Sequence, residues 1–198
     1  MRRISGIDNL GGGRFLVHTE EGEAFPLYKG ELLHYGIQEG EVLEEKSCRE
    51  IMEELLPKRA KKKALHLLER MDRTEAQLLN KLLELKYPEQ IAHEAVSYVK
   101  SFHYIDDARY ARQYIESRRE RESLRQMKTA LLQRGVAKET LEEVFQDAEL
   151  PDEERQIRGW IEKRRYDPAA ADEKERGRMY RFLLRKGYSY EAVRSFLQ

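Results

Sequence analysis

One phrase recurs three times in this chain: LLELKYPEQIAHEAV from Leu82, LLQRGVAKETLEEVF from Leu131 and LLRKGYSYEAVRSFL from Leu183, with the leucine pairs 49 and then 52 residues apart. Self-similarity at such a period is the mark of stacked supersecondary units, and it limits the fold more than any composition can. In each copy a Leu-Leu pair closes one helix. A Gly or Lys follows three positions after the second Leu, then an apolar residue, then a new amphipathic helix. Gly135 and Gly187 stand where a left-handed helix cap belongs, a conformation that glycine adopts at little cost. The first copy has Lys86 there, followed by Pro88, which predicts a slightly different turn.

Upstream of each phrase lies a further helical stretch, KRAKKKALHLLERM, DDARYARQYIESRRE or DEERQIRGWIEKRRY, so one unit is three helices. Helical spacing puts Ala60, Ala64, Leu67, Leu68 and Met71 on one face, likewise Leu124, Met127, Leu131 and Leu132, and again Met179, Phe182 and Leu183. Three helices of this length enclose only a thin core, which stacking extends. The expected fold is therefore mainly α, an elongated and curved tandem array of three three-helix repeats over residues 57–103, 104–149 and 150–198. A small β-hairpin-containing appendage is expected to precede it over residues 1–56.

The appendage has a different texture. In RFLVHTEEGEAFPL, Phe15 and Val17 alternate with polar residues, and Phe25 and Leu27 do so on the return, predicting two strands around a turn at Glu21-Gly22. An isolated hairpin is marginal in water, so ISGID at residues 4–8 is expected to add a third strand. GELLHYGIQEGEVLEE then predicts a short helix ending at Gly36 and a second opening near Glu39.

Charge divides along the same boundary. Net charge is zero, but residues 1–56 hold 6 Lys and Arg against 12 Asp and Glu, whereas the remainder holds 31 against 25. The acidic and basic parts are expected to do different work. No apolar run is long enough to span a bilayer, and MRRISGIDNLGGG contains no apolar signal core, which predicts a cytoplasmic protein. A single cysteine, Cys48, excludes an internal disulfide and is expected to be a half-buried spacer.

Asp106 and Asp107 invite two readings. As a metal site they need further ligands, and only His103 is near in sequence. As a helix start, Asp106 is a natural N-cap and Asp107 an acid at the positive end of the helix dipole; Pro151 and Asp152 open the third repeat with similar chemistry. The residues that follow are more informative. Tyr110 and Tyr114 share a helical face, and Arg109, Arg112, Arg118, Arg119, Arg121 and Arg125 exceed what the three local glutamates, Glu116, Glu120 and Glu122, can pair. Such a run is either a solvated, ion-paired face or a surface for an acidic protein groove or phosphates. Lys163, Arg164 and Arg165, ending a helix that carries the only tryptophan, Trp160, pose the same choice, as does the run from Lys58 to Lys63. Trp160 is expected in a core. No HExxH, P-loop or GxGxxG pattern occurs, and Gly11–Gly13 is expected to be a loop before a strand, so neither catalysis nor a cofactor nor a metal is expected.

YIDDARYARQYIESR followed by LLQRGV resembles the RecX family of regulators of the RecA recombinase. Members carry a Tyr-Leu-(Asp/Asn)-Asp-x-x-(Phe/Tyr)-Ala phrase, matched by Tyr104, Asp106, Asp107, Tyr110 and Ala111, with Ile105 in place of Leu. They also carry Leu-x-x-(Lys/Arg)-Gly-(Ile/Val/Phe), matched by Leu131, Arg134, Gly135 and Val136 and again by Leu183, Lys186, Gly187 and Tyr188. The resemblance covers roughly residues 57–198, and the N-terminal part is similar to a strand-containing extension of some members. It implies a non-enzymatic, monomeric protein that binds RecA, lies in the groove of the RecA–DNA filament and limits its assembly. On this reading the basic residues of the second and third repeats, Arg134 among them, together with Tyr110, meet the partner. The competing readings are a direct nucleic-acid-binding module, with weak DNA contact at zero net charge, and a helical adaptor for another protein.

Overall fold

Alternating apolar residues set the register of the N-terminal sheet. Strands β2 (Arg14–Thr19) and β3 (Ala24–Tyr28) pair antiparallel with Phe15 opposite Leu27 and Val17 opposite Phe25, and Val17, Phe25 and Leu27 are fully buried. Their turn holds Gly22 at φ 84°, as its position in the hairpin requires. The expected third strand is longer than ISGID: β1 (Arg2–Gly11) pairs antiparallel with β2 and reaches it through the Gly11–Gly13 turn.

A short helix, α1 (Lys29–His34), ends before Gly36 as expected. The helix expected near Glu39 does not open there. Gly40 takes φ 81° in a turn, and β4 (Val42–Leu43) pairs with Arg3 and Arg2 to complete a sheet of order β3-β2-β1-β4. The backbone of Ile4 bonds to Glu41 and Gly40, and this pairing with a distant strand overrides the local helical pattern. Helix α2 (Glu45–Arg49) starts only afterwards and runs through a π-wound stretch (Glu50–Leu55) into α3 (Leu56–Arg70). Pro57, in the first turn of α3, has no N–H to give back along the helix, and the wider winding lies directly ahead of it.

The structure, a computed structural model, describes residues 2–197 and divides into two compact units, one reaching to Asp106 and the other beginning at Asp107. In the first unit the sheet and the first repeat, α3 with α4 (Glu75–Glu84) and α5 (Glu89–Ser101), share one core. Phe25 and Leu27 belong to the same apolar cluster as Leu56, Ala60, Ala64, Leu78 and Val96. Cys48 is buried in that cluster, and burial pushes its thiol pKa up, which suits a spacer.

The second unit holds two further three-helix repeats. The first consists of α6 (Asp107–Arg118), α7 (Leu124–Gln133) and α8 (Lys138–Asp147), around Ile115, Met127, Leu131 and Phe145. The second consists of α9 (Glu153–Lys163), α10 (Glu173–Arg185) and α11 (Tyr190–Leu197), around Ile157, Met179, Leu183 and Val193. Two residues expected on the buried faces are outside them. Met71 lies past the end of α3 on extended backbone and is 61% exposed; Leu132, one step around α7 from buried Leu131, is 49% exposed.

All three copies of the repeated phrase close their second helix in one way. In the first, Lys86 N–H donates to Leu83 and Tyr87 N–H to Leu82; in the second, Gly135 to Leu132 and Val136 to Leu131; in the third, Gly187 to Leu184 and Tyr188 to Leu183. This is the Schellman bond pair, and it needs a left-handed residue at its centre. Lys86 supplies one at φ 70°, beside 81° for Gly135 and 88° for Gly187, so the different turn expected at Lys86 is not found. The buried apolar residue after the cap, Tyr87, Val136 or Tyr188, fastens each turn to its core.

Candidate partner-binding groove

Local sequence explains how the second unit displays its charges. Asp106 stands directly ahead of α6, with Asp107 in the first turn, and this pair is in no group of three or more metal-ligating side chains among the described residues. Asp152 caps α9, its carboxylate accepting from Arg155 N–H at 3.0 Å. Ser123 caps α7, accepting from Gln126 N–H at 3.3 Å, while the Gln126 side chain accepts from Ser123 N–H. The Ser123 cap fixes the end of the connection from Arg119 to Ser123, which is the richest in charge.

Polar bonds from the third repeat hold the same connection. Gln156 Nε2 donates to the carbonyls of Arg119 (2.6 Å) and Glu122 (3.2 Å), and Glu153 accepts from Leu124 N–H at 3.1 Å. Gln156 Oε1 accepts the hydroxyl of Tyr188 at 2.9 Å, and that hydroxyl accepts from Trp160 Nε1 at 3.1 Å. Burial pushes the Tyr188 phenol pKa up, against the opposing pull of the Trp160 bond, so it stays protonated and can serve as the donor in this chain.

Between the two repeats lies a groove of ≈ 1240 Å³ lined by nine Lys and Arg side chains and three carboxylates. Of the basic residues singled out in the sequence, Arg118, Arg119, Arg121, Arg125, Arg134 and Lys163 meet here. They are not equivalent. Arg118 pairs with Glu122 at 2.9 Å; Arg119 is held by Glu149 and by Glu116; Arg134 donates to the Ala130 carbonyl and lies 4.7 Å from the Tyr114 ring centre. Arg121 and Arg125 are exposed and have no carboxylate partner among the described residues. Tyr114 also donates to Glu122 at 2.9 Å, and burial with that bond raises its phenol pKa.

Other singled-out residues lie outside the groove lining. Tyr110 is half-buried against the second repeat's core, and Arg109 and Arg112 precede the groove on α6. Arg164 covers the Phe182 ring at 3.7 Å, and Arg165, at φ 50°, forms the left-handed turn after α9. Arg155, Arg185 and Lys186 complete the lining from the third repeat; in the sequence Arg155 follows three acids and Arg185 and Lys186 form a single basic pair, so none of them belongs to a run of cations. Trp160, expected in a core, is only half-buried: it packs edge-on against Phe182, lines the groove and has Lys186 Nζ 4.6 Å from its ring. A concave wall with this excess of positive charge concentrates anionic ligands, and its arginines can fork onto carboxylates or phosphates.

Comparison with known proteins agrees with this architecture. Family models described as the first, second and third three-helix domains of RecX match residues 60–98, 106–144 and 152–197. "Regulatory protein RecX" of Clostridium perfringens (strain 13 / Type A) is 26% identical over 189 residues, covering 93% of this chain and 89% of that one. The protein of the same description from Caldanaerobacter subterraneus subsp. tengcongensis is 30% identical over 164 residues, covering 82% and 81%. The fold is similar to that in the "Crystal structure of regulatory protein RecX" (TM-score 0.65, 21% identity, 98% of each chain). It is also similar to the "Crystal structure of RecX from Lactobacillus salivarius" (TM-score 0.59, 20% identity, 72% of this chain and 95% of that one).

Proposed function

Because this chain belongs to the RecX family of regulatory proteins, we propose that it is a non-enzymatic regulator that binds the RecA recombinase and its DNA filament. In this role it limits filament assembly, ATPase activity and strand exchange, and so modulates recombination and DNA repair in the cytoplasm. None of the described helices is long and apolar enough to cross a membrane. The observation that carries the reading is the groove of the second unit, where nine cations face three carboxylates. Such a surface suits an acidic stretch of RecA or the filament's phosphates. Arg121 and Arg125 are the contacts expected to matter most, because among the described residues no carboxylate engages their charges. Arg118, Arg119, Arg134 and Lys163 take part around them. Arg109, Tyr110, Arg112, Arg164 and Arg165 form an outer set.

The test is the DNA-dependent ATPase of RecA on single-stranded DNA with this protein titrated below equimolar amounts. Loss of activity well below one protein per RecA, with little binding to bare DNA at the same salt, is the expected result. A second reading, a direct nucleic-acid-binding module, is favoured by the same concentration of cations. Strong affinity for DNA without RecA, falling steeply with salt, would select it instead.

A further inference from the structure

The run from Lys58 to Lys63 has no part in the groove. It belongs to the N-terminal unit, where α3 meets the sheet around a pocket of ≈ 280 Å³. We propose that this pocket is a nucleotide site, taking the phosphate on a cationic rim and the base on an apolar floor. The inference does not rest on RecA binding, and none of its residues belongs to the groove.

Two halves of different chemistry compose the pocket. The floor consists of Pro26, Leu85 and the rings of Tyr28 and Tyr87, with Tyr87 only 8% exposed. Basic side chains form the rest. Arg59, Lys62 and Lys63 share one face of α3 with His66, at a spacing of three, four and seven from Arg59, and Arg14 comes from β2. Among the described residues no carboxylate lines the pocket.

Both arginines are already oriented. Arg14 Nη2 donates to the Leu85 carbonyl at 3.1 Å. Arg59 Nη1 donates to the Pro26 carbonyl at 3.2 Å and its Nη2 to Glu31 at 2.6 Å, and its guanidinium carbon lies 5.0 Å from the Tyr28 ring centre. An exposed helix stripe normally offsets its cations with local acids, yet Lys62 and Lys63 have no carboxylate partner among the described residues. Their charges are open to a ligand.

Size and polarity narrow that ligand. The volume sits near the small end of ligand sites, which begin at roughly 300 Å³, and so admits one nucleotide. A carboxylate side chain would use the rim without the floor, and an apolar side chain the floor without the rim. A nucleotide uses both, with a flat ring for the tyrosines and a doubly charged phosphate for the lysines. Its source is either a free nucleotide or one residue of a single strand.

The experiment is calorimetric titration of the full chain at low salt with ATP, AMP, inorganic phosphate and a short oligothymidylate. Nucleotides are expected to bind about tenfold more tightly than inorganic phosphate, and Lys62→Ala/Lys63→Ala to weaken them about tenfold with an unchanged melting temperature. Arg121→Glu/Arg125→Glu is expected to leave nucleotide affinity intact. If ATP displaces the oligothymidylate and the double lysine variant weakens both, the site takes a strand residue; if only the mononucleotides respond, it takes free nucleotide. No mononucleotide binding up to about 10 mM would overturn the proposal, as would affinity equal to that of inorganic phosphate or unaffected by the lysine pair.

Discussion

The hydroxyl of Ser123 donates to the backbone carbonyl of Lys186 at 2.7 Å. The same oxygen accepts from Gln126 N–H at the start of α7, so one buried atom caps a helix in the second repeat and satisfies the end of α10 in the third. Gly187 follows at once, and a Cβ placed there would lie 2.5 Å from that hydroxyl.

Ser123→Ala is therefore expected to cost about 1–2 kcal/mol, from a lost cap and an orphaned carbonyl. Gly187→Ala is expected to cost more, because to left-handed strain of about 1–2 kcal/mol it adds the collision with Ser123. Removing the hydroxyl relieves part of that collision, so the double variant should lose less than the sum. Urea unfolding of the four proteins measures the coupling.

Lys86→Gly should do the opposite. The lysine holds φ 70° without a side chain that favours it, and glycine removes a strain of about 1 kcal/mol. A rise of roughly 4–5 °C in the melting of the N-terminal unit is the expected outcome in calorimetry.

The groove arginines should separate into two classes in RecA ATPase titrations. Arg121→Glu/Arg125→Glu is expected to abolish inhibition at about tenfold excess over the wild-type requirement while leaving melting unchanged, because neither residue pairs with a carboxylate among the described residues. Reversal at Arg119 is expected also to lower the melting temperature slightly, through its contacts with Glu149 and Glu116. Arg112→Glu, outside the groove, should change inhibition less than either.

Alkaline pH should expose the Tyr188 network. A phenol whose folded pKa is raised keeps its full stabilisation below the unfolded value near 10 and loses it as pH climbs through the folded value. Tyr188→Phe leaves Trp160 Nε1 and Gln156 Oε1 without their partner and should cost about 1–3 kcal/mol at pH 7. The gap between wild type and variant should narrow above pH 10 in thermal melts.

What the sequence disclosed follows from the range of the forces involved. Strand alternation at Val17 and Phe25 and the glycine caps at Gly135 and Gly187 are local, and the structure places them as expected. β4 was hidden because two residues become a strand only by pairing with Arg2 and Arg3, some forty positions earlier. Nothing in the letter Lys86 announces a left-handed cap, because burial of Tyr87 and two backbone bonds, which outweigh a modest strain, arise only in the fold. The groove was half visible. A run of arginines betrays its α6 and α7 side, whereas Arg155 and the pair Arg185 and Lys186 stand far apart in sequence and gather only in the folded third repeat.

The three apolar clusters have no buried residue in common, and the chain's single tryptophan belongs to the last of them. Its fluorescence is thus a local gauge: it follows the loosening of residues around Ile157 and Met179 and is blind to the sheet and the first repeat. Circular dichroism averages every helix. Where repeats melt as semi-independent neighbours the two signals part company, and the distance between their midpoints becomes a direct measure of how strongly one repeat depends on the next.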